Sequence, residues 1–263
     1  MHPILFQLGP LVVPSYGAVA ALGVFLALAL TQFTARRVAL DPRHAWNMLV
    51  LAIFSALAVS RLLLIVMNLG DLRHHPSWLL AIAMVHHPLL SAVGILGGLI
   101  AALVYVRWAR LPLLSVADCL AAPLAVGMAA EQLGALLAGS DFGRESQSAH
   151  AIIYPSAIAA RWSGAPLYVA VYPVQAYAAI GALVVAAITF GWLFIPRSRP
   201  GDIAGIWLIA TGASLFLTEF FRDWEGRGVL PSGIADTPQL VALAMVLCGG
   251  LLLLDWRPSR HAV

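Results

Sequence analysis

Charged side chains inside apolar stretches are the residues of this chain whose types and spacing could do chemistry. In "VGMAAEQLGALLAG", residues 126–139, Glu131 and Gln132 stand side by side in an otherwise apolar helical pattern. In "TEFFRDWEGR", residues 218–227, Glu219, Arg222 and Asp223 fall at i, i+3 and i+4, which puts all three on one helix face. Arg61 lies in a third apolar run, "AVSRLLLIVMNL". An ionisable group at bilayer depth costs on the order of 3 kcal/mol or more, so each of these must face protein or a wet cavity. Two readings stand for them. One is a structural ion pair between helices, Arg61 with Glu131 or Glu219; the other is a functional centre. The 218–227 stretch reads either as a surface pair or as a grip in which Arg222 and Arg227 hold an anion at headgroup level, as Arg does with phosphate.

Other polar residues have quieter readings beside the functional ones. Asp118 reads as a first-turn acid favoured by the dipole of its own helix. Tyr16, beside Pro14, is equally an aromatic-belt residue at the membrane surface. Gly94 and Gly98 in "GILGGLIAALVY" form a G-x-x-x-G, whose default role is close helix packing, though such a run also lets headgroup atoms approach backbone amides. The pairs His74–His75 and His86–His87 read as solvated interfacial residues, with no carboxylate at ligand spacing and hence no metal site. Cys119 and Cys248, without a CxxC or a His partner, read as small buried hydrophobes.

The elements that must position these residues are membrane helices. Of 263 residues, 61% are hydrophobic and 10% charged, and mean hydropathy is +0.90, against about 25% charged in soluble domains. The net charge of +3 comes with 15 basic residues that are all Arg and lie between apolar runs. That pattern is a topology signal and argues against a nucleic-acid partner. Seven spans are expected, at roughly 13–35, 46–68, 89–107, 116–138, 172–195, 203–222 and 237–255. The run 77–87 is too short to cross and reads as a re-entrant or interfacial helix. The N-terminus has no basic n-region and carries Pro where an h-region would run, so no cleaved signal peptide is expected.

With the N-terminus outside, inside segments hold nine arginines and outside segments five. The positive-inside rule then puts the C-terminus in the cytoplasm. Residues 139–171 form a long outer-side loop of the kind that serves as a lid or binding surface. The expected architecture is a single all-α transmembrane domain over residues 1–263.

Taken in order, the local patterns resemble prolipoprotein diacylglyceryl transferases, bacterial inner-membrane enzymes that move diacylglycerol from phosphatidylglycerol to a lipoprotein cysteine. "VVPSYGAVAALGVFLAL" is similar to the family's first span with its Tyr, here Tyr16. "AVSRLLLIVMNL" resembles the Gly-Ala-Arg-Leu stretch, with Arg61 in the Arg position. "GILGGLIAALVYVRWARLP", "SVADCLAAPLAVGMAAEQLGALLAGSDFGRES", "YPVQAYAAIGAL" and "GDIAGIWLIATGASLFLTEFFRD" resemble the later motifs. Gly97, Gly98, Asp118, Gly134, Gly139, Asp141, Gly143, Arg144, Gln175, Tyr177, Glu219 and Arg222 match. Departures fall at polar positions: Leu96 and Tyr172 stand for His, Gln132 and Leu215 for Arg, and Ala135 for Asn.

The resemblance implies a cysteine thiol displacing glycerol phosphate from a glyceryl carbon. For that chemistry the candidate proton acceptors are Glu131, an extra acid where the family has Gly, Glu219 or Tyr16. Arg61, Arg144, Arg222, Gly97, Gly98, Gly143 and Gln132 become the lipid-phosphate contacts, and no cofactor or metal is implied. Three functions stay open. The first is a divergent transferase using phosphatidylglycerol or a related phospholipid, with a lipoprotein or other secreted protein as acceptor. The second is a catalytically inactive relative that binds phospholipid or lipoprotein as a partner subunit or chaperone. The third is an ordinary member of the family. Transport is a weaker alternative, because paired broken helices are absent from the sequence pattern.

Overall fold

The computed structural model describes residues 2–9, 11–70, 88–195, 199–223 and 236–254. The chain opens on a hairpin of β1 (Ile4–Leu8) and β2 (Leu11–Pro14), followed by helices α1 (Ser15–Arg37), α2 (Pro42–Met67), α3 (Pro88–Trp108) and α4 (Leu113–Ala138). A loop then carries β3 (Ile152–Ile153), the short helix α5 (Ala157–Ser163) and β4 (Ala170–Val171), before α6 (Val174–Trp192), α7 (Asp202–Glu219) and α8 (Thr237–Leu253). The all-α expectation thus holds for the membrane part, while the two small antiparallel two-stranded sheets among the described residues were not anticipated. Among the described residues, six helices are long and apolar enough to cross a membrane. The seventh expected span is α8, an apolar helix of 17 residues, which at 1.5 Å per residue is roughly 25 Å long. The expected interfacial helix at 77–87, the His pairs and Arg227 lie outside the described residues.

Helix ends follow local chemistry. The Asp41 carboxylate accepts from the Arg43 N–H at 2.8 Å and Pro42 takes the first helical position, so α2 begins four residues before its expected start. Asp236 and Gln239 form a capping box at the start of α8. The C-terminus of α4 is closed by Gly139 at φ 81°, a left-handed position where a glycine carries no side-chain penalty.

Lipid is as apolar as leucine, so helices in a membrane associate through close packing of small residues. That is how these helices meet. A Cβ on Gly98 would lie 2.8 Å from the Ala52 carbonyl oxygen, and one on Gly94 3.0 Å from that of Ala56, so α3 rides directly on the α2 backbone. A Cβ on Gly212 would lie 2.7 Å from the Ala242 carbonyl oxygen, which fixes α7 against α8. Gly23 of α1 abuts Ala130 of α4. α4 is the central helix and touches α1, α6 and α7. Its Ala121, Ala122, Ala125, Ala129 and Ala135 are buried. Large apolar side chains such as Phe54 and Ile95 point outward, at 67% and 70% exposure, as a lipid-facing surface requires.

Two quiet readings are corrected. Asp118 does not serve its own helix dipole. It is buried in the second turn of α4, and its carboxylate accepts from the Gly201 and Ala204 N–H groups at 2.6 and 2.8 Å, capping the start of α7. The sequence separation of 83 residues hides that partnership. Cys119 is buried as expected, but Cys248 is exposed on α8. An apolar neighbourhood in sequence does not distinguish a lipid-facing position from a protein-facing one.

Candidate functional site

The N-termini of α1 and α6 and the C-termini of α4 and α7 come together at the end of the bundle that bears the 139–171 loop. Gly134 makes one of these approaches possible. A Cβ there would lie 3.2 Å from the Tyr16 carbonyl oxygen, and Gly134 is three residues, or one helical turn, past Glu131. With α1 held this close, the Tyr16 hydroxyl donates to Glu131 Oε1 at 3.3 Å. Gln132 Nε2 donates to Glu131 Oε2 at 2.6 Å. Both carboxylate oxygens therefore accept a hydrogen bond.

The second half of the site comes from the end of α7. Arg222 and Glu219 are buried, at 8% and 2% side-chain exposure, and Arg222 Nε lies 3.0 Å from Glu219 Oε1. The surface-pair reading is thereby overturned: three-residue spacing brings the pair together at a helix end folded back into the protein. The Nε–H is not aimed along the contact, so among the described residues it makes no hydrogen bond despite the short distance. Gln132 Oε1 is likewise buried without a partner. Arg222 Nη1 also reaches Asp141, 3.7 Å from its carboxylate and 3.5 Å from its carbonyl oxygen. Glu131 lies within electrostatic reach of both Arg222 and Asp141, which joins the two halves.

A backbone junction fixes Arg222. The Gly143 N–H donates to the Tyr172 carbonyl, the Arg144 N–H to the Phe221 carbonyl and the Tyr172 N–H to the Arg144 carbonyl, all at 3.0–3.1 Å. Residues 143–144 thus run between the start of α6 and the end of α7, with Gly143 bridged to Arg222. Only glycine fits there, since a Cβ would lie 2.6 Å from the carbonyl oxygens of both Phe221 and Tyr172. Arg144 is exposed, with its guanidinium 5.8 Å from the Tyr172 ring centroid. Gln175, fully buried at the start of α6, ties the loop down by donating to the Ser140 carbonyl at 2.5 Å and the Tyr154 hydroxyl at 3.2 Å. Outside the membrane helices, burial pushes the Tyr154 phenol up to about 12, with the Gln175 hydrogen bond acting the other way.

Of the expected site residues, Tyr16, Glu131, Gln132, Gly143, Arg144, Glu219 and Arg222 gather at this end. Gly97 and Gly98 instead face α2, a Cβ on Gly97 meeting the Val59 side chain. Arg61 is half-buried in the C-terminal third of α2, while Glu219 takes Arg222 as its ion-pair partner. Asp141, at φ 55°, matched the family motif but was not among the expected site residues. That match was the signal for it.

A bundle of apolar helices with a buried Arg–carboxylate centre at one end defines a multi-pass membrane protein with a polar site at that end of the bundle. A sequence model of the prolipoprotein diacylglyceryl transferase family matches residues 3–255. The chain belongs to that family, and it is a multi-pass protein of the bacterial inner membrane. It is 29% identical to the phosphatidylglycerol–prolipoprotein diacylglyceryl transferase of Pseudoalteromonas translucida, over 97% of this chain and 92% of that one. With the enzymes of the same name from Aliivibrio salmonicida and Clostridium tetani the identities are 28% and 22%, over 99% and 95% of this chain and 89% and 95% of theirs.

Proposed function

We propose that this protein is a divergent phospholipid-dependent transferase that moves a diacylglyceryl or closely related group from phosphatidylglycerol to the thiol of a lipoprotein or another exported acceptor. The observation that carries this reading is the pairing of a proton acceptor, Glu131 hydrogen-bonded by Tyr16 and Gln132, with a buried cation, Arg222, whose Nε–H has no hydrogen bond among the described residues. In the reaction Glu131 takes the thiol proton. The sulfur lone pair forms the new bond to the glyceryl carbon while the C–O bond to phosphate breaks. The electron pair of that bond leaves with glycerol phosphate, whose growing charge Arg222 stabilises. Thiolate is the nucleophile and a fixed cation stabilises the leaving group, the two things the chemistry requires.

Glu219 orients Arg222 through their ion pair. Arg144, exposed above Tyr172, meets the outer side of the headgroup. Arg61 on α2 contributes along the lipid chain and glycerol, whereas Gly97 and Gly98, packed against Val59 and Ala52, hold α3 to α2. The arginine distribution supports an orientation with the N-terminus and the loop end outside.

A second reading, an inactive relative that binds phospholipid or lipoprotein, draws on Ala135, which is fully buried where the family's Asn would stand, and on Gln132 and Leu215 in the places of two arginines. Purified protein incubated with headgroup-labelled phosphatidylglycerol and a lipoprotein signal peptide separates the two. Release of glycerol phosphate is the expected result. Saturable lipid binding without release would leave only the binding role, and rescue of a strain depleted of its own transferase would remove the divergence.

A further inference from the structure

At the opposite end of the bundle, the C-termini of α1 and α6 and the N-termini of α4 and α7 enclose a cavity of about 220 Å³. Arg37, Ser115, Asp118 and Arg199 supply its polar lining, and Leu193 and Ile203 part of its apolar wall. Its carboxylate is already committed. Both oxygens of Asp118 accept backbone N–H groups of α7, from Gly201 and Ala204. The neighbouring Asp202 carboxylate accepts from the Arg199 N–H at 2.8 Å. Arg37 has no carboxylate partner among the described residues. Its guanidinium rests on two aromatic faces, 4.4 Å from the Phe194 centroid and 5.1 Å from that of Phe33. Stacking of this kind fixes the cation while leaving its in-plane N–H fork for an oxyanion.

The charge around the cavity has the same sign. The described helix ends and turns on this side carry six arginines, from Arg36 to Arg199, against three aspartates, Asp41, Asp118 and Asp202. Basic pockets between helix ends at a membrane surface take phosphate-bearing headgroups, and each Arg or Lys near an anionic surface contributes about 1 kcal/mol. The apolar wall adds what a free ion would not use: Leu193 and Ile203 offer a surface to the glyceryl and first acyl carbons. Asp118 lies 13 residues before Glu131 on α4, a distance of roughly 20 Å along the helix, so this cavity is separate from the loop-end site.

We propose that this cavity holds the phosphodiester headgroup of an anionic phospholipid as a resident lipid, gripped by Arg37 and Arg199 with Ser115 as an additional donor. The proposal does not depend on the transferase reading. The test is photo-labelling of the purified full chain in detergent with a phosphatidylglycerol bearing a diazirine near its glycerol, followed by peptide mapping. Labelling is expected on the segment spanning Leu193 to Ile203, falling roughly tenfold or more in the Arg37→Gln, Arg199→Gln protein. It should be unchanged in Arg222→Ala, and retained in the charge-keeping Arg37→Lys, Arg199→Lys protein. Equal labelling by the phosphatidylcholine analogue, no loss in the glutamine variant, or loss in the lysine variant as well would overturn it. Displacement of the lipid by inorganic phosphate in millimolar excess would overturn the lipid assignment in favour of a free-phosphate site.

Discussion

Arg222 Nε and Glu219 Oε1 lie 3.0 Å apart inside the protein, with almost no solvent on either side chain. A pair placed there is asymmetric in its energetics. Removing one partner leaves a buried charge uncompensated, which costs about 3–5 kcal/mol. Glu219→Gln should therefore lower the thermal midpoint of the detergent-solubilised protein sharply. The double change Glu219→Gln, Arg222→Gln should recover much of that loss, while turnover stays absent in both. Equal losses that simply add would show that the two residues act independently.

Arg222→Lys keeps the charge and loses the fork. If Arg222 stabilises departing phosphate, the lysine variant should retain saturable phosphatidylglycerol binding while releasing glycerol phosphate on the order of 100-fold more slowly. Rates within a factor of two or three of the unchanged protein would remove Arg222 from the chemistry.

Gly143 offers a structural lever on the same site. A methyl group there meets two carbonyl oxygens at 2.6 Å, and neither carbonyl can move without breaking the junction that seats Arg222. Gly143→Ala should cost about 1–3 kcal/mol of stability and depress kcat more than KM. Gly98→Ala, against the Ala52 carbonyl oxygen at 2.8 Å, should destabilise the α2–α3 pair while leaving kcat nearly unchanged.

Tyr154 sets an alkaline limit. Its phenol is pushed from 10.0 up to about 12 by burial, against the Gln175 hydrogen bond. The folded state therefore favours the neutral form. The stability this provides is fully present below pH 10 and is lost as pH rises through about 12, up to roughly 2–3 kcal/mol. Tyr154→Phe should flatten that fall in thermal midpoint between pH 10 and 12, while the unchanged protein shows it. Parallel curves for the two proteins would mean another group governs the alkaline loss.

What the sequence made legible was governed by the range of each signal. Hydropathy runs of about 20 residues are long signals, and the helices came within a few residues of their expected bounds. The match of Tyr16, Glu219 and Arg222 to the family pattern was available through resemblance, Glu131 stood out as an acid in an apolar run, and their proximity follows from the alternation of helix direction. Two-residue strands such as Ile152–Ile153 have no periodicity to read, so the two-stranded sheet of the loop was invisible. The burial of Arg222 could not be read either, because three-residue spacing is the same on a surface and in a core. Asp118 and Cys248 were misplaced for a related reason: whether a position faces lipid, a distant helix end or its own helix depends on neighbours far away in the chain.

The most direct test of the account is Glu131→Gln, which keeps the size and a hydrogen-bonding partner for Tyr16 but cannot take a proton. Headgroup-labelled phosphatidylglycerol, a lipoprotein signal peptide and purified protein give both readouts in one assay. Lipid binding should equal that of the unchanged protein, and glycerol phosphate release should fall by a factor of about 100 or more. Release at an undiminished rate by Glu131→Gln, with binding intact, would contradict it.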